Sequence, residues 1–376
     1  MKYIQLITTL ALALLSVAFH AVIKDEQQST LKDALAGKFY IGTALNGAQI
    51  TEADTAAVCV IKENFSAIVA ENCMKSGPLQ PKEGVFDFTL ADKFVEFGEK
   101  YNLFVTGHTL VWHAQTPRWF FVDSLGKEVT REVLIERIKK HITTVVGRYK
   151  GRVKGWDVVN EALNDDGSYR KSKFYTIIGE DFIKLAFQFT HEADPSAELY
   201  YNDYSLTTPE KRDGAVVMVK KLKEQGVKID GIGEQCHVGL DFPDIKNLER
   251  SIESFAALGV KVMFTEMDIS VLPMPDWKVG ADISANFEYK KKLNPYPDEL
   301  PDSVYVIFEK RYLEFFKLFL KHKKDISRVT LWGVTDAQSW KNHFPIWGRT
   351  DYPLLFDRHY NAKPVVKKII EEAAKY

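Results

Sequence analysis

Short apolar, β-branched runs alternate with longer segments of helical period along almost the whole chain, and this alternation limits the fold more than any other feature. Residues 39–44, 66–70, 103–108, 153–159, 198–202, 231–235, 260–266 and 328–334 read as strands. Between them, residues 91–100, 131–149, 174–193, 209–224, 245–258 and 303–322 carry the 3.6-residue period of amphipathic helices. Boundary signals agree with this reading. Thr208-Pro209 is an N-cap followed by proline at the first helical position, and Gly226 and Gly259 stand just past their helices. Strands separated by helices pair in parallel, and eight such units favour a closed (β/α)8 barrel over an open doubly wound sheet. No GxGxxG follows the first strand and no GxxxxGK[ST] occurs in the sequence, which removes the main nucleotide-binding alternatives. The longest irregular segment, residues 272–301, follows the seventh strand directly and is expected to form a large loop beside the site.

In a parallel barrel, chemistry sits at the C-terminal strand ends. Polar residues collect there in nearly every unit of this chain. Glu71, Asn72 and Lys75 follow strand two, and His108, Trp112, His113 and Gln115 follow strand three. Strand four ends in Asn160 and Glu161, and strand five in Tyr201, Asn202 and Asp203. Gln235 and His237 close strand six, Glu266 and Asp268 strand seven, and Trp332, Asp336 and Trp340 follow strand eight. Two of these ends place a glutamate after an apolar run, in Trp156-Asp157-Val158-Val159-Asn160-Glu161 and Phe264-Thr265-Glu266-Met267-Asp268. A pair of carboxyl groups facing one cavity suits glycosidic cleavage, in which one acid protonates the leaving oxygen and a carboxylate attacks or activates water. The period of two puts Glu266 and Asp268 on one strand face, and Gln235 and His237 on one face of the neighbouring strand. A histidine between the two acids would hold Glu266 ionised and oriented. Asn160 and Glu161 are adjacent, so both reach the site only where the strand ends or bulges.

The 376 residues carry a formal net charge of −1, which leaves no basic excess for nucleic acid or an anionic membrane surface. A surplus of aromatics, with 7 Trp and 16 Tyr, suits the flat C–H faces of sugar rings as well as the core. Met1-Lys2 followed by an apolar stretch from Ile4 to Ala18 resembles a secretory signal peptide, read as residues 1–21, with one exported catalytic domain over 22–376. No run approaches the ~20 apolar residues of a membrane span. Cys59, Cys73 and Cys236 match no metal spacing and read as small buried hydrophobes; no metal or cofactor is expected, and monomer is the default.

Five strings, GHTLVWH (107–113), WDVVNEA (156–162), GIGEQCH (231–237), TEMDIS (265–270) and LWGVTDAQSW (331–340), resemble glycoside hydrolase family 10, the endo-β-1,4-xylanases. The likeness runs from about residue 38 to 368 in the expected order. It implies a retaining double displacement on xylan, with Glu161 as acid/base and Glu266 as nucleophile. It further implies that Asn160 bonds the sugar 2-hydroxyl and that His237, backed by Asp268, orients Glu266. His108, Gln235 and Trp332 would line the subsite of the cleaved sugar. Glu71, Asn72, Lys75, Gln115 and Trp340 would bind the next sugar toward the non-reducing end, and Trp112 and Tyr201 are further candidates for substrate contact. A cis peptide between His108 and Thr109 is also implied. One departure stands out: the family commonly carries Trp and an acidic residue after the lysine of its ENxMK segment, whereas Ser76-Gly77 follow Lys75 here.

Three other readings fit parts of the pattern. A cellulase or mannanase on the same barrel shares the Asn-Glu and Glu placements; by resemblance Trp332, Trp340 and Gln115 crowd the position where glucose carries its CH₂OH. A non-catalytic carbohydrate-binding barrel would be expected to lack one carboxylate, and both are present. A metal-dependent hydrolase is disfavoured because His108 and His113 lack HExxH spacing.

Overall fold

The computed structural model describes residues 29–274 and 290–376, so the expected signal peptide (1–21) and the middle of the 272–301 segment lie outside the described residues. Leu31 to Tyr376 form one unit. Its strands are β1 (Tyr40–Leu45), β2 (Ala67–Ala70), β3 (Phe104–Trp112), β4 (Gly155–Asn160), β5 (Glu198–Asp203), β6 (Gly231–Glu234), β7 (His237–Gly239), β8 (Lys261–Ser270) and β9 (Ile326–Leu331). Every pairing between them is parallel, and consecutive strands pair except β6 and β7. Two further pairings complete the ring. β6 pairs with β8 from Gly231↔Lys261 onward, and β1 pairs with β9 from Tyr40↔Arg328 to Thr43↔Leu331. The nine segments therefore make eight staves, with β6 and β7 as one stave interrupted at Gln235-Cys236, and the (β/α)8 expectation holds.

The interruption falls within the run expected as one stave. Cys236 adopts φ 65 and breaks the strand there, while Gln235 and His237 still share the lumen face that the period of two assigns them. The region expected as a single helix over 174–193 is two helices, Lys173–Ile178 and Asp181–Ala193, because Gly179 between them sits at φ 85 and ends the first. Strands expected to stop at His108 and Glu266 run on to Trp112 and Ser270, carrying the polar residues on paired backbone rather than on loops. The cis peptide His108–Thr109 is present, beside a register shift between His108 and Val111 in the β3–β4 pairing. The three cysteines are unpaired thiols; Cys73 and Cys236 are buried as expected, but Cys59 is exposed on its helix.

The core fills the space between staves and helices. Helix Asp302–Lys321 buries Phe308, Tyr312, Phe315, Phe316 and Phe319 along one side, and Phe319 stacks on Phe264 of β8 with ring centroids 4.2 Å apart. Trp156, the largest wholly buried side chain, lies across Gly107 of β3 so closely that a β-carbon there would sit 2.2 Å from its ring. Gly107 immediately precedes His108, so this contact also sets where the end of β3 enters the site. Gly107→Ala is predicted to destabilise the fold by about 2–3 kcal/mol through overpacking. Thermal denaturation beside the parent protein checks this, and an unchanged melting temperature would show that the Trp156 ring moves aside freely.

Candidate active site

Two buried glutamates enter the barrel mouth from non-adjacent staves. Glu161 stands one residue past β4 at φ 56, a left-handed conformation that non-glycine residues adopt only under constraint. This is the strand-end irregularity needed to bring both Asn160 and Glu161 inward, and a register shift between Asp157 and Val159 in the β4–β5 pairing prepares it. Glu266 lies on β8, in register with Asp268.

The two carboxyl groups have different surroundings. Glu161 Oε1 accepts from Gln235 Nε2 at 3.0 Å and lies 3.3 Å from the Asn160 side-chain amide. Glu161 Oε2 makes no hydrogen bond within the described residues; His113 Nδ1 stands 3.9 Å away. Burial pushes this carboxyl above the usual range, and the Asp203 charge, with a smaller contribution from Glu266, pushes the same way against hydrogen bonds from Gln235 and Trp112. Glu266 Oε1 accepts from Asn202 Nδ2 at 2.8 Å, and Oε2 lies 3.2 Å from His237 Nε2. Burial would raise Glu266 as well, but the hydrogen bond from His237 and the positive field of His108, His237 and Lys75 bring it below the usual range. The surroundings thus favour the protonated form of Glu161 and the ionised form of Glu266, the division of labour that general acid catalysis and nucleophilic attack require.

His237 links this pair to a third carboxylate. Its Nδ1 lies 2.9 Å from Asp268 Oδ2, which also accepts from Trp340 Nε1 at 2.8 Å. Lys341 Nζ stands 3.6 Å from the other Asp268 oxygen. Burial alone would lower the imidazole, but Asp268 and Glu266 overcome it and raise His237 to about 9. Trp332 meets the rings of His108 and His237 edge-on, with centroids 5.5 and 6.3 Å away, and Trp340 lies 4.8 Å from His237. Past β2, Lys75 Nζ donates to Asn72 Oδ1 at 3.1 Å, Asn72 Nδ2 to Glu71 Oε1 at 3.3 Å, and the Lys75 ammonium lies 5.0 Å from the Trp112 ring. Burial lowers Lys75, partly offset by Glu266, Glu71 and Glu161. The Ser76-Gly77 departure has a local reason. Ser76 Oγ donates to the Leu110 carbonyl at 3.2 Å, and a β-carbon on Gly77 would come 2.8 Å from the Gln115 carbonyl. The turn after Lys75 is thereby pressed against the segment carrying Gln115.

Tyr201 is not where a substrate-contact residue would stand. It is wholly buried on the β5 face away from the lumen, and its hydroxyl is taken up by Asp203 and by the Ala162 N–H. Its neighbour Asn202, expected at the strand end but given no role there, faces Glu266 and lies 2.9 Å from the Asn160 amide, its orientation fixed by Thr265 Oγ1, which donates to Asn202 Oδ1. The period of two would have separated these residues, since Asn202 alternates with Tyr201 and Asp203. Asp157 is the second omission: its Oδ2 lies 2.9 Å from His108 Nδ1.

His237 generates a stability prediction. Its folded-state pKa of about 9 exceeds the ordinary imidazole value of 6.5, so the protonated form is bound more tightly in the folded protein. The stabilisation is complete below about 6.5 and is lost as pH rises through about 9. The melting temperature of His237→Gln should lie furthest below the parent near pH 6, and the gap should shrink toward pH 10. A gap constant across that range would remove the charge on His237 as its source.

Residues 30–372 match the family model described as Glycosyl hydrolase family 10. The chain is 51% identical to Endo-1,4-beta-xylanase A of Xylanibacter ruminicola, over 97% of this chain and 98% of that one. It is 41% identical to Endo-1,4-beta-xylanase of Geobacillus stearothermophilus, over 91% and 98%. Among solved structures, a GH10 endoxylanase retrieved from a sugarcane soil metagenome superposes with a TM-score of 0.87 at 45% identity, covering 92% of this chain and 99% of that one. A GH10 structure from Paenibacillus barcinonensis gives 0.84 at 36%, covering 93% and 98%. The chain belongs to glycoside hydrolase family 10.

Proposed function

We propose that this protein is an endo-1,4-β-xylanase that hydrolyses internal bonds of xylan with retention of anomeric configuration. The observation that carries the reading is the opposed state of two buried glutamates at one barrel mouth, Glu161 raised and Glu266 lowered. The naming of its relatives as xylanases supports the choice of substrate. In the first step Glu266 attacks the anomeric carbon while Glu161 gives its proton to the departing glycosidic oxygen, leaving a glycosyl ester on Glu266. In the second, Glu161 takes a proton from water, which attacks the same carbon and frees Glu266. Asn202 and His237 hold the nucleophile by one oxygen each, so the attacking carboxylate is presented in one orientation. Asn160, next to Glu161 and Asn202, is assigned to the sugar 2-hydroxyl. His108, Gln235 and Trp332 are assigned to the cleaved sugar, and Glu71, Asn72, Lys75, Gln115 and Trp340 to the next. Trp112 supports Lys75 from below.

Among the described residues, no helix is long and apolar enough to cross a membrane. Export with removal of residues 1–21 rests on the leader-like Met1–Ala18 sequence, and N-terminal sequencing of protein secreted by a host checks it.

The roles of the glutamates separate by leaving group. Glu161→Ala should lose on the order of 10²–10⁴-fold in xylan cleavage, whose sugar leaving group needs a proton. It should retain the first step on an aryl xylobioside with a good leaving group, and added azide should restore turnover by attacking the intermediate, giving a glycosyl azide of retained configuration. Glu266→Ala should lose both substrates, and azide should then yield the inverted product. The opposite pattern would exchange the two assignments.

A further inference from the structure

Behind Glu161 lies a set of ionisable groups that the two steps above do not use. Asp203 and Lys211 are both wholly buried, with Lys211 Nζ 2.9 Å from Asp203 Oδ1. The ammonium also lies 3.2 Å from the Tyr204 ring centroid and 3.8 Å from Asp165 Oδ1. The Asp203 carboxylate accepts from the Tyr201 hydroxyl, from the Tyr204 N–H at 2.9 Å and from the Leu163 N–H at 3.4 Å. Burying an ion pair so completely contributes little to stability by itself, because desolvation offsets the attraction. Its bonds lead to the catalytic turn. Tyr201 accepts the Ala162 N–H at 3.1 Å and Asp203 accepts that of Leu163, so the two peptide groups after Glu161 are tied to the pair. Arg170 closes the other side, donating to the carbonyls of Glu161 and Leu163 and to the Tyr204 hydroxyl, each at 3.0 Å. The left-handed backbone of Glu161 is thus clamped from both sides.

We propose that the buried Asp203–Lys211 pair is a positioning device for proton donation: through Tyr201 it fixes the turn that aims Glu161, and the Asp203 carboxylate, standing behind the acid, retains the proton on it until the leaving group takes it. The proposal rests on Glu161 being the acid. After burial, Asp203 is the strongest influence raising Glu161, ahead of Glu266. The other ionisable groups around Glu161 are His113, Lys75 and Tyr201. Around Asp203 stand Lys211, Tyr201, Tyr204 and Glu234, the last raised to about 7 by burial, with Asp165 and Arg170 beyond. The two carboxylates acting on Glu161 differ in time. The charge of Glu266 vanishes when the glycosyl ester forms, whereas that of Asp203 persists through both steps. Asp203 therefore sets the acid's resting state and Glu266 supplies the swing between acid and base.

Two variants test this. Asp203→Asn removes the charge and keeps an oxygen for Tyr201 and Leu163. Asp203→Asn/Lys211→Met replaces the whole ion pair by neutral groups of similar size, a change that buried pairs tolerate. In the folded proteins the alkaline limb of kcat/KM on xylan should move to lower pH, and xylan turnover should fall roughly tenfold more than turnover of an activated aryl xylobioside. A purely structural role would lower both substrates by the same factor and leave the limb in place, and either result in a folded variant overturns the proposal. Glu161→Gln, run in parallel, keeps the two readings apart. If it shows no dependence on leaving group, the assignment of the acid fails, independently of Asp203.

Discussion

Closure of eight parallel staves brings all the strand C-termini around one mouth, and in this chain those termini carry carboxyl groups. Glu161, Glu266, Asp157, Asp203, Glu234 and Asp268 are all buried there. Water is largely excluded, so each charge must be met by a fixed partner or given up through protonation. Much of the arrangement at the mouth answers that constraint. His108 meets Asp157, His237 meets Asp268 and Glu266, and Lys211 meets Asp203. Glu161 and Glu234 have no opposite charge of comparable closeness, and burial raises both. Glu161, the proposed acid, is one of the two carboxyl groups left electrostatically short.

The same accounting explains why the hydrogen bonds around the nucleophile are neutral on one side and charged on the other. Asn202 supplies an N–H without adding charge, while His237 brings a proton already shared with Asp268. Trp340 and Lys341 then fix Asp268 from above, so the histidine is held along its whole length. A nucleophile held at both oxygens has little rotational freedom to lose on reaching the transition state.

The fold and both glutamates were legible because they rest on local rules: alternating periods, strand-end polarity, and motif strings whose order follows the barrel. What stayed hidden depends on backbone irregularity. Nothing in the string Gly231–His237 announces that Cys236 turns left-handed, whereas the adjacency of Asn160 and Glu161 already requires an irregularity at the end of β4. The placement of Tyr201 at the substrate and the omission of Asn202 have a common origin. Three polar residues in a row end β5, and the pleat assigns only the middle one to the lumen. The helix over 174–193 divides because Gly179 sits inside an otherwise continuous apolar period, where its backbone freedom outweighs the pattern.

The interruption in the sixth stave bears on how the site tolerates change. Gln235 holds Glu161 and His237 holds Glu266, and a single left-handed residue separates them. The two halves of the reaction thus hang from one short length of backbone, so a shift of that stave would misalign proton donor and nucleophile together. Cys236 at the pivot is wholly buried with its thiol held well above the ordinary range, which leaves it little thiolate character and little exposure to oxidants. The hinge on which both chemical steps depend is built around a side chain that is chemically quiet.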